Sequence, residues 1–450
     1  MSFANLPINE LLNEKGFECE CGQKHYTDLR YVEIGQGAIN KLPEVLKKCG
    51  ATRPFIVSDK NTYAAAGKQA EEILKAAGIP FTSYVFPQEV ITPSEFEVGQ
   101  VVMEWDTNCD FIIAVGGGVI NDVCKMVAKV SGLRQLILGT APSMDGFASN
   151  SGSMIHDGIK VTIYTPCPVA IIADTEIMRN APMLLLQAGL GDMLAKYVSV
   201  CEWRISNIIT GEYFCPEIAQ LMRNAVKKIV ENADKLASRD ADAVGAVVEG
   251  LILSGLAMGF AKVSRPASGL EHYFSHIWEM YALEKHTPES LHGIQVGIGT
   301  YLTLGIYDKL KLYKPDEKLA LEYVEKFDPV FWESEMHRMF GSIADSVLAI
   351  EAKVQKNSKT THPKRLRHII DKWDEIVAAM NEELPSQAQI KAILESAGSP
   401  IVPKDIGIEN DEVRDSLMAS KEIRDKYIAS RLLWDLGLLD KYADELVEGL

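Results

Sequence analysis

At 450 residues the chain is too long for one small core, so two or three domains are expected. Its 47% hydrophobic and 24% charged residues are ordinary for a soluble globular protein, and a formal net charge of −16 argues against a nucleic-acid partner, which needs a basic surface. A small phosphorylated ligand stays open, because a few local cations suffice to hold it.

The first residues, MSFANLPINELLNEKG, show no basic stretch followed by an apolar run, so no secretion signal is read. The segment CECGQKH then offers Cys19, Cys21 and His25. These are metal-type ligands, but a closed structural zinc site takes four. The eight cysteines are otherwise scattered and read as reduced thiols, which points to the cytoplasm.

From Arg53 strand-like and helix-like segments alternate. RPFIVSD (Arg53–Asp59), FTSYVF (Phe81–Phe86), DFIIAVGGG (Asp110–Gly118), LRQLILGTAPS (Leu133–Ser143) and VAIIAD (Val169–Asp174) read as strands. YAAAGKQAEEILKAAG (Tyr63–Gly78), PSEFEVGQVVMEW (Pro93–Trp105) and VINDVCKMVAKVSG (Val119–Gly132) read as helices. Strands apolar on both faces, each followed by a helix, predict a mostly parallel sheet covered by helices. After about Ala181 the strand-like runs stop and helical spacing continues to Leu450. The division expected is residues 1–180, α/β, and 181–450, helical. The longest apolar stretch, Val247–Ala261, is too short to span a bilayer and reads as a buried helix, so no membrane insertion is expected.

Three stretches carry chemistry. AVGGGVINDVCK sets Gly116, Gly117 and Gly118 between a buried strand and a helix, where backbone can approach a pyrophosphate and the helix start offers unpaired N–H groups. Asp59, at an earlier strand end, is placed either for a ribose hydroxyl or as a helix cap. GTAPSMDGFASNSG (Gly139–Gly152) follows another buried strand and is rich in hydroxyl and amide side chains, as ligand loops at parallel-strand ends are.

SGLEHYFSHIWEMYALEKHTPESLHG (Ser268–Gly293) holds four of the nine histidines, with His272 and His276 on one helix face. An i, i+4 pair fits two ligands or one ligand and a neighbour. Asp192, read as lying at the start of a helix, and His292 could complete an Asp–His–His set with an open coordination position. His286, beside Glu284 and Lys285, reads as a solvated loop residue.

Taken in order, GGGVINDVCK, TAPSMDGFASNSG, IIADTEIMRNAP, AGLGDMLAK, SRPASGLEHYFSHIWEM and HGIQVGIGT resemble the sn-glycerol-1-phosphate dehydrogenases, most of all their bacterial branch, within the iron-containing alcohol dehydrogenase superfamily. The resemblance runs from roughly Gly35 to Tyr301. It implies the dehydroquinate synthase-like fold: a dinucleotide-binding α/β domain followed by a helical domain that binds metal and substrate. It implies that Gly116, Gly117, Gly118, Val119, Ile120, Thr140, Ser143 and Ser149 contact NAD(P)H. Asp192, His272 and His292 match the metal ligands, and Asp145, Asp192 and His276 match substrate-contacting positions. The implied reaction is reduction of dihydroxyacetone phosphate to sn-glycerol 1-phosphate, with a homodimer or higher homo-oligomer expected. Met144 stands where the family often carries histidine, and the carboxyl-terminal region is extended.

In that reaction a zinc, nickel or ferrous ion would act as a Lewis acid on the ketone. Bound water or His276, whose unperturbed pKa near neutrality suits the task, would supply a proton. Asp59 would favour NAD by repelling a 2′-phosphate. Lys160, Lys196, Lys262 and Arg265 lie in or near the motifs as candidate phosphate cations. The rivals are a glycerol or other polyol dehydrogenase and a non-redox synthase of the 3-dehydroquinate synthase kind.

Overall fold

A computed structural model describes residues 2–156 and 159–450. The chain forms two compact units: Met1–Met193 with Pro216–Ser264, and Leu194–Cys215 with Arg265–Leu450. From Ala181 onward the described residues form helices and no strand. Compactness nevertheless groups the helices Pro216–Val230 and Ala241–Ala261 with the α/β part.

The strands in chain order are β1 (Phe17–Glu18), β2 (Lys24–His25), β3 (Tyr31–Gly35), β4 (Pro54–Asp59), β5 (Thr82–Phe86), β6 (Phe111–Gly116), β7 (Arg134–Gly139), β8 (Ser151–His156), β9 (Ile159–Tyr164) and β10 (Ala170–Asp174). Six of them make a parallel sheet in the order β3-β10-β7-β6-β4-β5. β1-β2 and β8-β9 are separate antiparallel hairpins.

The central strands are apolar throughout because both faces are covered. Ile56, Phe111, Ile113, Val115, Leu136, Leu138 and Ile172 pack with Leu42, Val45, Leu46 and Leu74 from two helices on one face. Their alternate neighbours Phe55, Val57, Ile112, Ala114 and Ile137 are equally buried. The helices expected after β4, β5 and β6 form at Lys68–Ala76, Glu95–Glu104 and Gly118–Ser131.

Strand order fixes where ligands belong. After β4 the chain goes outward to β5, then returns to place β6 on the other side of β4 and continues through β7 to β10. The connections therefore leave the carboxyl ends of β4 and β6 in opposite directions. That opens a crevice there, the usual ligand position in an open parallel sheet. Asp59 ends β4 and Gly116 ends β6.

Three readings need correction. The edge strand β3 and the hairpin β8-β9 were not foreseen, and the hydroxyl-rich run ends in strand β8 at Ser151 rather than as loop. β3 is only partly buried and carries Glu33, so it lacks the apolar run that marks a covered strand. The apolar helix starts at Ala241, giving 21 residues, long enough by length to cross a membrane. Its apolar window is 72% buried, as a core helix requires, and that of the apolar helical stretch 183–210 is 83% buried.

The second unit has a core of its own in the carboxyl-terminal region. Buried Lys421 pairs with buried Glu422 and lies 4.2 Å from the Trp332 ring centroid. Trp332 Nε1 and Asn357 Nδ2 donate to Glu422 at 2.9 and 2.7 Å, and the Arg431 guanidinium stacks on Trp434 at 4.6 Å. The neighbouring cations hold Glu422 down to about 2 against its burial, while burial pushes Lys421 down to about 8.

Gly189 lies in the helix Met183–Leu194, packed against the loop after β7. A Cβ there would sit 1.9 Å from the Pro142 carbonyl oxygen. Gly189→Ala must therefore push this helix away from the loop. A lowered thermal midpoint, corresponding to roughly 1–3 kcal/mol, is expected in calorimetry.

Candidate active site

In the first unit, β6 closes on Gly116, Gly117 takes the N-cap position, and Gly118 is the first residue of the helix Gly118–Ser131. The turn must be tight at two of these glycines. A Cβ on Gly116 would meet Ile120 at 2.7 Å, and one on Gly118 would meet Met144 Cε at 2.9 Å. Gly117 differs: its nearest neighbour would be Ser143 Oγ at 3.9 Å, so its α-hydrogen faces space that a side chain would fill. No side chain caps the helix, and no acid lies in its first turn. Asn121 N–H is the first to bond back into the turn, at 3.1 Å to Gly117 O. An uncapped positive helix end beside an open glycine, at the strand-order crevice, fits a dinucleotide pyrophosphate.

The other cofactor residues divide. Thr140 N–H donates to Gly116 O at 3.2 Å, tying the second loop to the glycine turn. Ser149 does not present its hydroxyl outward. It is buried, takes a hydrogen bond from Lys125 Nζ at 3.0 Å and lies at 2.9 Å from Ser151 O. Ser149 therefore holds the loop from inside. Lys125, which sequence patterns did not mark, also donates to Gly146 O at 2.7 Å and Ser151 O at 2.8 Å. Asp59 caps the next helical turn, accepting from Thr62 N–H at 2.8 Å through one oxygen. Met144 supplies its sulfur to Gly146 N–H at 2.8 Å and packs against the turn.

Asp192 lies in the last turn of the helix Met183–Leu194, not at a helix start. Gly189 and Gly191 before it are both helical, and Gly189 is packed closely against Pro142 and Val247. Asp192 is fully buried, and its Oδ2 accepts from Asp145 N–H at 2.9 Å. Asp145 in turn accepts from Ser254 Oγ at 2.7 Å. The fold thus joins two acids that the sequence separates.

In the second unit, His272 and His276 project from the helix Leu270–Lys285, and His292 begins the helix His292–Leu310. Their rings gather: His272–His292 centroids are 5.3 Å apart, His276–His292 5.8 Å and His272–His276 6.3 Å. Each Nδ1 meets a carboxylate. His272 Nδ1 lies 2.8 Å from Glu271 Oε1. His292 Nδ1 lies 2.8 Å from Glu279 Oε1, and His276 Nδ1 lies 3.2 Å from Glu279 Oε2. Glu271 and Glu279 are both essentially fully buried.

A carboxylate oxygen accepts, so in each pair Nδ1 carries the proton and Nε2 keeps its lone pair. This is how carboxylates orient metal-bound histidines. Three ligand-type atoms from His276, Glu279 and His292 also lie within 4.8 Å of one another. With both Glu279 oxygens engaged by Nδ1 groups, Glu279 reads as the orienting group. His286 is exposed and caps the helix end in a left-handed conformation, φ 53°, as a loop residue.

Around these histidines charge is arranged carefully. Gly269 is required: a Cβ there would lie 2.6 Å from Glu202 Oε2 and 2.8 Å from Glu271 Oε2. Burial, with the negative charge of Glu271, pushes the Glu202 carboxyl up to about 8. His276 does not keep an ordinary imidazole pKa. Burial pushes it down to about 3, against the opposing pull of Glu279, so the ring is neutral at physiological pH.

Two candidate phosphate cations are committed elsewhere. Arg265 is buried against Glu212 at 2.8 Å and donates to Tyr427 O at 2.9 Å. Lys196 is buried and donates to Ala267 O at 3.1 Å. The fold instead brings Arg424 into the electrostatic surroundings of His276 and Tyr273, and Lys426 donates to Ser268 O at 3.0 Å.

Glu279→Gln tests the orienting role. Glutamine has one accepting oxygen and so serves one imidazole, leaving the other facing an NH2 group. Metal affinity is expected to fall about 10–100-fold by chelator competition, with the fold retained by circular dichroism.

Residues 33–182 match the family described as iron-containing alcohol dehydrogenase. The glycerol-1-phosphate dehydrogenase (NAD(P)+) of Halalkalibacterium halodurans is 31% identical over 93% of this chain and 96% of its own length. The protein of that name from Pyrococcus furiosus is 36% identical over 61% of this chain and 77% of its own. Among solved structures, glycerol dehydrogenase from Schizosaccharomyces pombe has a TM-score of 0.60 at 17% identity, covering 96% of this chain and 94% of that one. Maleylacetate reductase from a Rhizobium species has a TM-score of 0.60 at 13% identity, covering 94% and 98%. At such identities the structures speak for the fold alone. The sequence likeness, spread over nearly the full length of both chains, places this chain in the glycerol-1-phosphate dehydrogenase family, within the iron-containing alcohol dehydrogenases.

Proposed function

We propose that this chain reduces dihydroxyacetone phosphate to sn-glycerol 1-phosphate, using NAD(P)H and one divalent metal ion. The observation that carries the reading is the set of imidazoles whose Nδ1 atoms are all held by buried carboxylates. When bound, the metal supplies Lewis acidity to the ketone, and the nicotinamide supplies the hydride.

In this reading Asp192, His272 and His292 hold the metal, which zinc, nickel or ferrous iron would suit equally. Gly116, Gly117, Gly118, Val119 and Ile120 bring backbone N–H groups to the pyrophosphate, with Thr140 and Ser143 alongside. The second Asp59 oxygen takes a ribose hydroxyl, which favours NAD. Asp145 and Asp192 orient the substrate hydroxyls. His276, as a neutral ring, accepts from a substrate hydroxyl through Nε2 and does not serve as an imidazolium acid; water supplies the proton.

Arg424 and Lys426 take the phosphate. In support, no hydrogen bond to the Arg424 guanidinium is recorded among the described residues, and Lys426 has a single recorded acceptor. Burial, with Arg265 and Arg424 nearby, pushes Lys426 down to about 7.

The metal-loaded protein is expected to oxidise NADH stoichiometrically with dihydroxyacetone phosphate, to yield the sn-1 product by chiral analysis, and to lose turnover on chelation. Equal turnover on unphosphorylated dihydroxyacetone would make it a polyol dehydrogenase. Conversion without net NADH consumption would make it a synthase. A dianionic phosphate prefers the charged lysine, so KM for dihydroxyacetone phosphate should rise as pH climbs above about 7. Lys426→Met should raise that KM about 10–100-fold at neutral pH, the worth of one hydrogen bond to a charged group, and abolish its pH dependence.

A further inference from the structure

The hairpin β1-β2 is far too short to hold itself. It pairs Phe17 with His25 and Glu18 with Lys24, closed by Cys19 N–H to Gln23 O at 3.2 Å and Gly22 N–H to Cys19 O at 3.0 Å. Gly22 takes φ +82°, a conformation that suits glycine and turns the chain tightly between Cys21 and His25. Two-residue strands are marginal in water without further support.

The turn instead gathers ligands. Cys19, Cys21 and His25 are joined by Cys215, which is peptide-bonded to the first residue of the helix Pro216–Val230. The four ligand atoms all lie within 4.8 Å of one another. Zn–S bonds of about 2.3 Å and Zn–N bonds of about 2.0–2.1 Å at tetrahedral angles put ligand atoms roughly 3.5–3.8 Å apart. Cys21 Sγ and His25 Nε2 stand at 3.3 Å, close to such an edge.

The histidine is set in the tautomer a metal needs. His25 Nδ1 lies 2.9 Å from the Phe260 carbonyl oxygen. A carbonyl only accepts, so Nδ1 carries the proton and Nε2, facing the cysteines, carries the lone pair. Lys262, whose charge acts on His25, would offset the net negative charge that three thiolates leave around a divalent ion. His25 is fully buried, and rings of Phe3 and Phe260 lie 5.4 and 6.0 Å from it. None of the cysteines is in a disulfide.

We propose that Cys19, Cys21, His25 and Cys215 form a closed structural zinc site, separate from the histidine cluster of the second unit. Three thiolates and an imidazole are soft ligands that select zinc and leave no position open for substrate. The ion folds the hairpin and, through His25 and Phe260, fastens it to the helix Ala241–Ala261.

The test uses the full chain loaded with cobalt or zinc. Cobalt-loaded wild type is expected to show a strong near-ultraviolet thiolate-to-cobalt band. The band should persist in His272→Ala and be lost in Cys21→Ser and in Cys215→Ser. In the zinc-loaded wild type, titration with an organomercurial should release a zinc ion that His272→Ala retains. Absence of the thiolate band in wild type, or no zinc released by the mercurial, would overturn the proposal. Both readouts use the wild-type chain, so the decision stands even if a cysteine variant fails to fold.

Discussion

The site depends on one constraint: imidazoles must show one nitrogen outward, and something buried must take the proton of the other. Glu271 and Glu279 do this for His272, His276 and His292. Burying two carboxylates is costly unless each is hydrogen-bonded. The surroundings answer that cost. Gly269 N–H donates to Glu271, and Ser275 Oγ sits between His292 Nδ1 and Gln295 Oε1 at 3.0 and 2.9 Å. Gly269 exists where it does because Glu202 and Glu271 leave no space for a side chain. The result is a rigid histidine face whose tautomers are set before any metal arrives.

The first unit solves a matching problem with backbone rather than acids. A pyrophosphate needs N–H groups that nothing else uses. The reversal of strand order between β4 and β6 provides the crevice, and Gly117 provides close approach. Lys125 then anchors the second loop from within, satisfying two carbonyls and the Ser149 hydroxyl. Buried Asp192 pins that loop from the other side by accepting from Asp145 N–H.

Much of this was legible in the residues. β4, β6, β7 and β10 are apolar on both faces, and that pattern survives translation into sequence. The edge strand β3 and hairpin β8-β9 were not, because half-exposed strands mix polar and apolar residues as loops do. Asp192 was misplaced within its helix because paired glycines read as a break, while both are helical in the fold. Glu271 and Glu279 drew no reading, since an acid on a helix looks the same buried or exposed. His276 kept its expected place, but its pKa depends on desolvation, which no spacing encodes. Cys215 lies far down the chain from CECGQKH, so only the fold gathers the four ligands.

The central claim is that Glu271 and Glu279 orient histidines and do not themselves bind the metal. Anomalous diffraction from crystals of the metal-loaded protein tests it most directly. The account predicts bonds to Nε2 of His272 and His292, with Glu279 still on the Nδ1 atoms and outside the coordination sphere. A metal bound by Glu279 together with His276 and His292 would contradict it.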